Sequence, residues 1–361
     1  MAPTITKWIS LIFLSVLLKP QIPIQAQQQV PCVFFFGDSY FDTGNNNGLI
    51  TKSKSNYRPY GIDYPDGPTG RFSNGRVIPD FLAELLGFAN PISPYVTARG
   101  SDDILRGVNY ASGVAGIRDE TLMGGGFSMN RQVKIHRATI SSIKILFKKN
   151  QTSANDYLNK CLYVVNIGSY DYLNDYYLPE SPFSRQFYTP DRFAEILIQG
   201  LLNQQLRTLY RSGARKVAVF GVGLLGCLPQ ELAIYPTNGL SCVDFINNGV
   251  KPFNNRLTQL IDSLNRDLPG AQFTFINITK ISGTNPSLIG LRFTNASCCP
   301  VQSDTGLCVP NQVPCSNRNE YTFWDNLHPT DIINRATASR SYTALFPTDA
   351  YPVDIRRLVH Q

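Results

Sequence analysis

The sequence predicts an α/β fold built on a parallel sheet with helices on both faces, and two patterns carry that prediction. Short apolar runs rich in β-branched and aromatic residues recur at 30–36, 162–167, 216–222 and 271–278. Between them lie longer segments with helical apolar spacing, at 190–211 and 244–268, and such alternation of strand and helix points to strands running parallel. A third observation sets the domain count. No Pro/Ser-rich linker or internal repeat interrupts the 361 residues, and the only biased tract is a Gln-rich stretch at 25–29, so 27–361 reads as one domain.

The first 26 residues read as a secretory signal peptide: Lys7, an apolar run from Trp8 to Leu18, and small residues near Ala26. That run is about half the length a bilayer span needs, and no other stretch reaches roughly 18 apolar residues without a charge, so no transmembrane segment is expected. Removing the leader takes away Lys7 and Lys19 and leaves 335 residues at a formal charge of +5 instead of +7. The basic residues are dispersed. The short clusters Lys144 to Lys149 and Arg211 to Lys216 read as solvated helix faces, which argues against nucleic-acid binding.

The first predicted strand ends in Gly37-Asp38-Ser39 and opens into a Gly/Asn-rich turn, PCVFFFGDSYFDTGNNN in full. A serine at the end of a rigid strand is placed to act as a nucleophile, provided a base lies within hydrogen-bond reach and a third group orients that base. The segment FWDNLHPTD supplies both, because Asp325 and His328 at i, i+3 fall on one side of a turn. The alternative role for Asp325 is to cap the helix that follows Pro329, a position for which Asp331 competes. Only two other histidines compete. His360 is penultimate and expected to fray, and His136, among Arg131, Lys134 and Arg137, is expected to face solvent. Asp42, Asn45, Asn46 and Asn47 are expected to build the turn that holds Ser39.

Eight cysteines, Cys32, Cys161, Cys227, Cys242, Cys298, Cys299, Cys308 and Cys315, in an exported chain predict disulfides of undetermined pairing. There is no CxxC pair and no H-E-x-x-H, so no metal is implied. Asn-x-Ser/Thr sequons at Asn150, Asn277 and Asn295 fit the same compartment and predict surface glycosylation, whereas Asn285 is followed by Pro286. Ser39, Gly113 and the turn after Ile167 each follow a predicted strand, where ligands bind in open parallel sheets.

GDSYFDTGNNN near the mature N-terminus, GRFSNGRVIPDFLAELLG, GVNYASGVAGI, VVNIGSYDYLNDYY and the C-terminal DNLHP resemble, in order and spacing, the signature blocks of the plant secreted GDSL esterase/lipases, members of the SGNH hydrolases. The likeness covers nearly the whole mature chain. It implies a three-layer α/β/α sandwich of flavodoxin-like type and a secreted serine esterase of the cell wall or apoplast, acting without cofactor. Lipids, cutin-like polyesters, acetylated polysaccharides and small aromatic esters are all candidate substrates. The nucleophile elbow G-x-S-x-G of α/β-hydrolases is absent.

The resemblance also implies an oxyanion hole built from the Ser39 amide, a second-block glycine that maps onto Gly113 or the nearby Gly116, and a third-block asparagine. Here that block reads Gly168-Ser169-Tyr170-Asp171, so Tyr170 stands where the family has its amide donor. The Tyr170 hydroxyl, Asn166 or Asn174 are candidate substitutes. Losing one oxyanion donor typically costs about 10² to 10³ in rate, which raises a weakly active or purely binding protein on the same fold as the alternative, with an acyltransferase as a third reading.

Overall fold

The computed structural model describes residues 27–122, 125–179, 183–237, 241–283 and 290–361; the signal-peptide reading at 1–26 lies outside them. Among the described residues seven strands are defined: β1 (Val33–Gly37), β2 (Leu162–Asn166), β3 (Lys216–Phe220), β4 (Gln272–Ile276), β5 (Phe293–Ser297), β6 (Tyr321–Phe323) and β7 (Ala350–Tyr351). The main sheet runs β1-β2-β3-β4-β7, with its first four strands parallel and β7 antiparallel to β4. β5 and β6 form a separate ribbon. The four predicted runs therefore fall on β1 to β4, with no end more than three residues off.

β1 shows why these runs become strands. Phe34 and Phe36 enter one apolar core while Val33 and Phe35 enter the other, all fully buried. A strand covered on both faces loses the polar alternation of a half-exposed one, and each such buried ring is worth about 1.5–3 kcal/mol. Helix α1 (Ile78–Leu85) lies in the second core with Phe81 and Leu82, whereas α2 (Met129–Leu146) and α3 (Asp244–Asp267) line the first. Helices α4 (Asp331–Tyr342) and α5 (Ile355–His360) complete the second layer through Ala338, Ile355 and Leu358. The predicted 190–211 helix is three abutting segments, Pro190–Glu195, a π-helical Ile196–Leu202 and Asn203–Arg211. The result is the expected α/β/α sandwich.

Segment 108–112 extends the sheet beyond β1. Phe35 donates its amide to Val108 at 3.1 Å, and Tyr110 and Ser112 return theirs to Phe35 and Gly37 at 2.8 and 3.0 Å. This rung sequence delivers Gly113 to the same sheet edge as Ser39. Gly107 permits the approach: its φ is +109°, and a Cβ there would stand 1.9 Å from the Val33 carbonyl oxygen.

All eight cysteines pair: Cys32–Cys161, Cys227–Cys242, Cys298–Cys315 and Cys299–Cys308. The first staples the entrances of β1 and β2 side by side.

His136 corrects an expectation. It is fully buried, boxed by Phe34, Phe36, Tyr110 and Tyr163 with ring centroids 4.8 to 5.4 Å away, and its Nδ1 lies 3.2 Å from the Tyr110 hydroxyl. Burial drives its imidazole down to about 3, so it stays neutral. His360 ends α5 in an ordered helical turn, its ring nitrogen 2.7 Å from the Arg356 carbonyl.

Candidate active site

Gly37 and Asn166 are register partners, so the turns leaving β1 and β2 start level with each other. The end of β1 is pinned by Gln132 of α2, whose amide accepts the Gly37 N–H and donates to the Gly37 carbonyl, both at 2.8 Å. Asp38 then donates its amide to the Asn166 carbonyl at 3.2 Å, and its own carbonyl accepts the amides of Phe41 and Asp42. Ser39 is thereby held at the strand end. The Asx-rich turn behaves as expected: Asp42 Oδ1 accepts the Gly44 and Asn45 amides at 2.7 Å, and Asn45 donates to the carbonyls of Asn109 and Ala111.

At the far end of the chain, the turn 325–328 folds onto its own carboxylate. Asp325 Oδ1 accepts the amides of Leu327 and His328 at 2.8 and 2.7 Å, while His328 Nδ1 sits 2.9 Å from both carboxylate oxygens. Thr330 occupies the N-cap position of α4 without a side-chain capping bond, and Asp331 accepts the Arg76 amide. The imidazole lies between Phe72 and Tyr40, with centroids at 4.8 and 5.6 Å, and Tyr40 donates its hydroxyl to the Leu327 carbonyl. His328 Nε2 stands 2.7 Å from Ser39 Oγ. Serine, imidazole and carboxylate thus form one hydrogen-bonded chain, and Ser39, His328 and Asp325 are at most 1% exposed.

Tyr170 joins this chain. Its hydroxyl is 2.9 Å from Ser39 Oγ and 3.4 Å from His328 Nε2. Burial, reinforced by the negative charges of Asp38 and Asp325, raises its phenol further above the usual tyrosine range, so it remains an O–H donor. Neither asparagine considered in its place does this. Asn166 donates to Asp38 Oδ1, and Asn174 makes no contact with Ser39 among the described residues. The neighbouring Asp171 is fixed by the amides of Ile117 and Arg118 and by Thr121 Oγ1, and burial lifts it to about 6.

Gly113 reaches the expected edge, with its amide turned to the Asx-rich loop. Its amide is donated to Asp42 Oδ2 at 2.9 Å and to Asn46 Oδ1 at 3.1 Å, so it is already spent within the turn. A side chain there would collide with Asn46, Ser53 and Phe72. The glycine is required for close packing, and the Tyr170 hydroxyl is instead directed at Ser39 Oγ. No acceptor takes the Ser39 amide among the described residues.

Two further neighbours were not assigned roles from sequence. Phe72 stood in a quoted block without chemistry, and Tyr60, fully buried, donates to Asp325 Oδ2 at 2.6 Å. Among the described residues no three His, Cys, Asp or Glu side chains group as metal ligands.

Comparison with known proteins agrees with this arrangement. The family model described as GDSL-like lipase/acylhydrolase matches residues 33–341. The chain belongs to that family. A GDSL esterase/lipase of Arabidopsis thaliana is 47% identical over 98% of this chain and 98% of its own, and two others from the same plant are each 46% identical over 91% of this chain and 92% of theirs. The protein is accordingly a GDSL esterase/lipase, a carboxylic ester hydrolase of the secreted type whose family works by a Ser-Asp-His mechanism. Four disulfides fit that setting, and no helix among the described residues is long and apolar enough to cross a membrane.

Proposed function

We propose that Ser39 is the nucleophile, His328 the general base and Asp325 the group that orients it. Ser39 Oγ attacks the acyl carbon as its proton passes to His328 Nε2, and the alcohol leaves with that proton. Water then repeats the sequence on the acyl-serine. Asp325 holds the Nδ1–H tautomer and stabilises the imidazolium. The observation that carries this reading is the 2.7 Å contact between His328 Nε2 and Ser39 Oγ, backed by Asp325 at 2.9 Å.

Tyr170 replaces the family's amide as the oxyanion donor in this proposal, together with the Ser39 amide. A hydroxyl 2.9 Å from the attacking oxygen lies within reach of a second oxygen on the same carbon. A second reading has its own observation: Tyr170 is 3% exposed and, with His328, covers a fully buried Ser39. The two readings predict opposite outcomes. If donation dominates, Tyr170→Phe lowers kcat by about 10² to 10³ and Tyr170→Asn retains turnover; if covering dominates, Tyr170→Ala raises turnover above wild type.

The substrate class is proposed as lipid, cutin-like polyester or acetylated polysaccharide in the cell wall or apoplast, with cleavage of a leader at 1–26 leaving one catalytic domain at 27–361. Asn150 and Asn295 are exposed and Asn277 is half-buried, which supports glycosylation at the first two most directly. The test is hydrolysis of short- and medium-chain p-nitrophenyl esters and labelling by a fluorophosphonate, for wild type and Ser39→Ala. Both activities vanish in the variant if Ser39 is the nucleophile; retained labelling or turnover refutes it.

A further inference from the structure

Asp325 is a carboxylate buried with no Arg or Lys in hydrogen-bond contact among the described residues, so dipoles alone must hold it. Oδ1 is taken by its own turn, through the amides of Leu327 and His328. His328 Nδ1 lies 2.9 Å from both carboxylate oxygens, and Oδ2 also accepts the hydroxyl of Tyr60 at 2.6 Å. Tyr60 lies 265 residues earlier in the chain and is fully buried beside Phe72, Trp324 and the Cys299–Cys308 disulfide. Its oxygen in turn accepts the Cys308 amide at 3.1 Å, and Tyr57 donates to the Cys308 carbonyl at 2.8 Å. A phenylalanine would fill the same apolar space, so packing does not account for the hydroxyl. The hydroxyl satisfies one Asp325 lone pair and one amide of the disulfide-closed loop at once.

We propose that Tyr60 is a positioning residue for the ester-hydrolase reaction, its O–H fixing the plane of the Asp325 carboxylate so that both oxygens face His328 Nδ1, and its oxygen tying that carboxylate to the loop closed by Cys299–Cys308. This rests on the reading of Asp325 as the orienting acid. The phenol is held in its protonated form by burial and by the Asp325 charge, so it acts only as a donor toward the carboxylate. With that donor gone, the carboxylate loses one of the bonds that set its rotamer, and its charge on His328 is less diluted.

The test is the pH profile of kcat/KM for secreted wild type, Tyr60→Phe and Ser39→Ala. Other titratable groups facing Asp325 and His328 are Tyr40, Tyr57, Tyr170 and Asp38, and none is changed in these variants. Tyr60→Phe is expected to lower kcat about tenfold with KM within about twofold, since small misplacement of a catalytic group suffices for such a loss. Its acid limb, which reports the base in free enzyme, moves to higher pH. A second form of the protein, with Tyr60 replaced by difluorotyrosine, keeps the shape, strengthens the donor and moves the limb to lower pH, which covers the case in which Tyr60→Phe does not fold. Folded variants whose kcat and acid limb both match wild type overturn the proposal. Activity that survives in Ser39→Ala overturns the catalytic assignment instead, and the two failures are read separately.

Discussion

Replacing His136 by leucine will make the protein less sensitive to acid. The wild-type imidazole is neutral in the fold because burial lowers it to about 3, against about 6.5 for the free side chain. Between those values the unfolded chain binds a proton that the folded chain does not, so stability is complete above pH 6.5 and drains away as pH falls. The slope is about 1.4 kcal/mol per pH unit, giving a loss of about 2 kcal/mol at pH 5 and about 4 kcal/mol near pH 3. Asp42 and Asp171, lifted to about 6, and Glu231, lifted to about 7, act in the opposite sense, because burial makes their protonated forms the stable ones and their contribution is lost as pH rises through those values. Subtraction removes them. Guanidinium unfolding of wild type and His136→Leu, disulfides intact, at pH 7.5, 6 and 5 should show the wild-type stability falling relative to the variant by about 2 kcal/mol across the series. A difference that stays flat from pH 7.5 to 5 refutes the account of His136 as a neutral core residue.

Three other outcomes follow from the packing. Asp80→Ala strands the guanidinium of Arg71, which now meets Asp80 through two bonds of 2.7 and 2.8 Å, and should cost about 3–5 kcal/mol in denaturant unfolding. Gly107→Ala forces a Cβ into the Val33 carbonyl at a positive φ, so its midpoint should fall by the equivalent of about 3 kcal/mol or more. Replacing Cys32 and Cys161 together by serine opens a link spanning 129 residues and should lower stability by about 2–4 kcal/mol, read from the same curves without loss of the pattern of esterase substrates.

What was legible in the sequence was what local pattern controls. The four parallel strands announced themselves because burial on both faces leaves uninterrupted apolar runs, and Ser39, Asp325 and His328 were found because two short blocks carry them. His136 was misread from its charged neighbours, although it falls at helical spacing with Met129, Val133, Ile140 and Ile143, all buried; that stripe was the signal available. Gly113 lies at the expected edge, but that its amide meets Asp42 and Asn46 could not be read from sequence, because no periodicity reveals the side-chain directions of that turn. Tyr60 left no trace, because a loop tyrosine bonded across 265 residues has no local pattern. The disulfide pairing was equally hidden, being set by which loops meet.

Ser39 and His328 are separated by 289 residues, one leaving the first strand and the other preceding the helices that close the second layer. A ribosome adding about 5 to 20 residues per second takes roughly 15 to 60 s to cover that distance. Under the roles proposed above, Ser39 spends that interval with no base to activate it. On that proposal hydrolytic power arrives only with the final stretch of polypeptide, and an unfinished chain is harmless to any ester it meets.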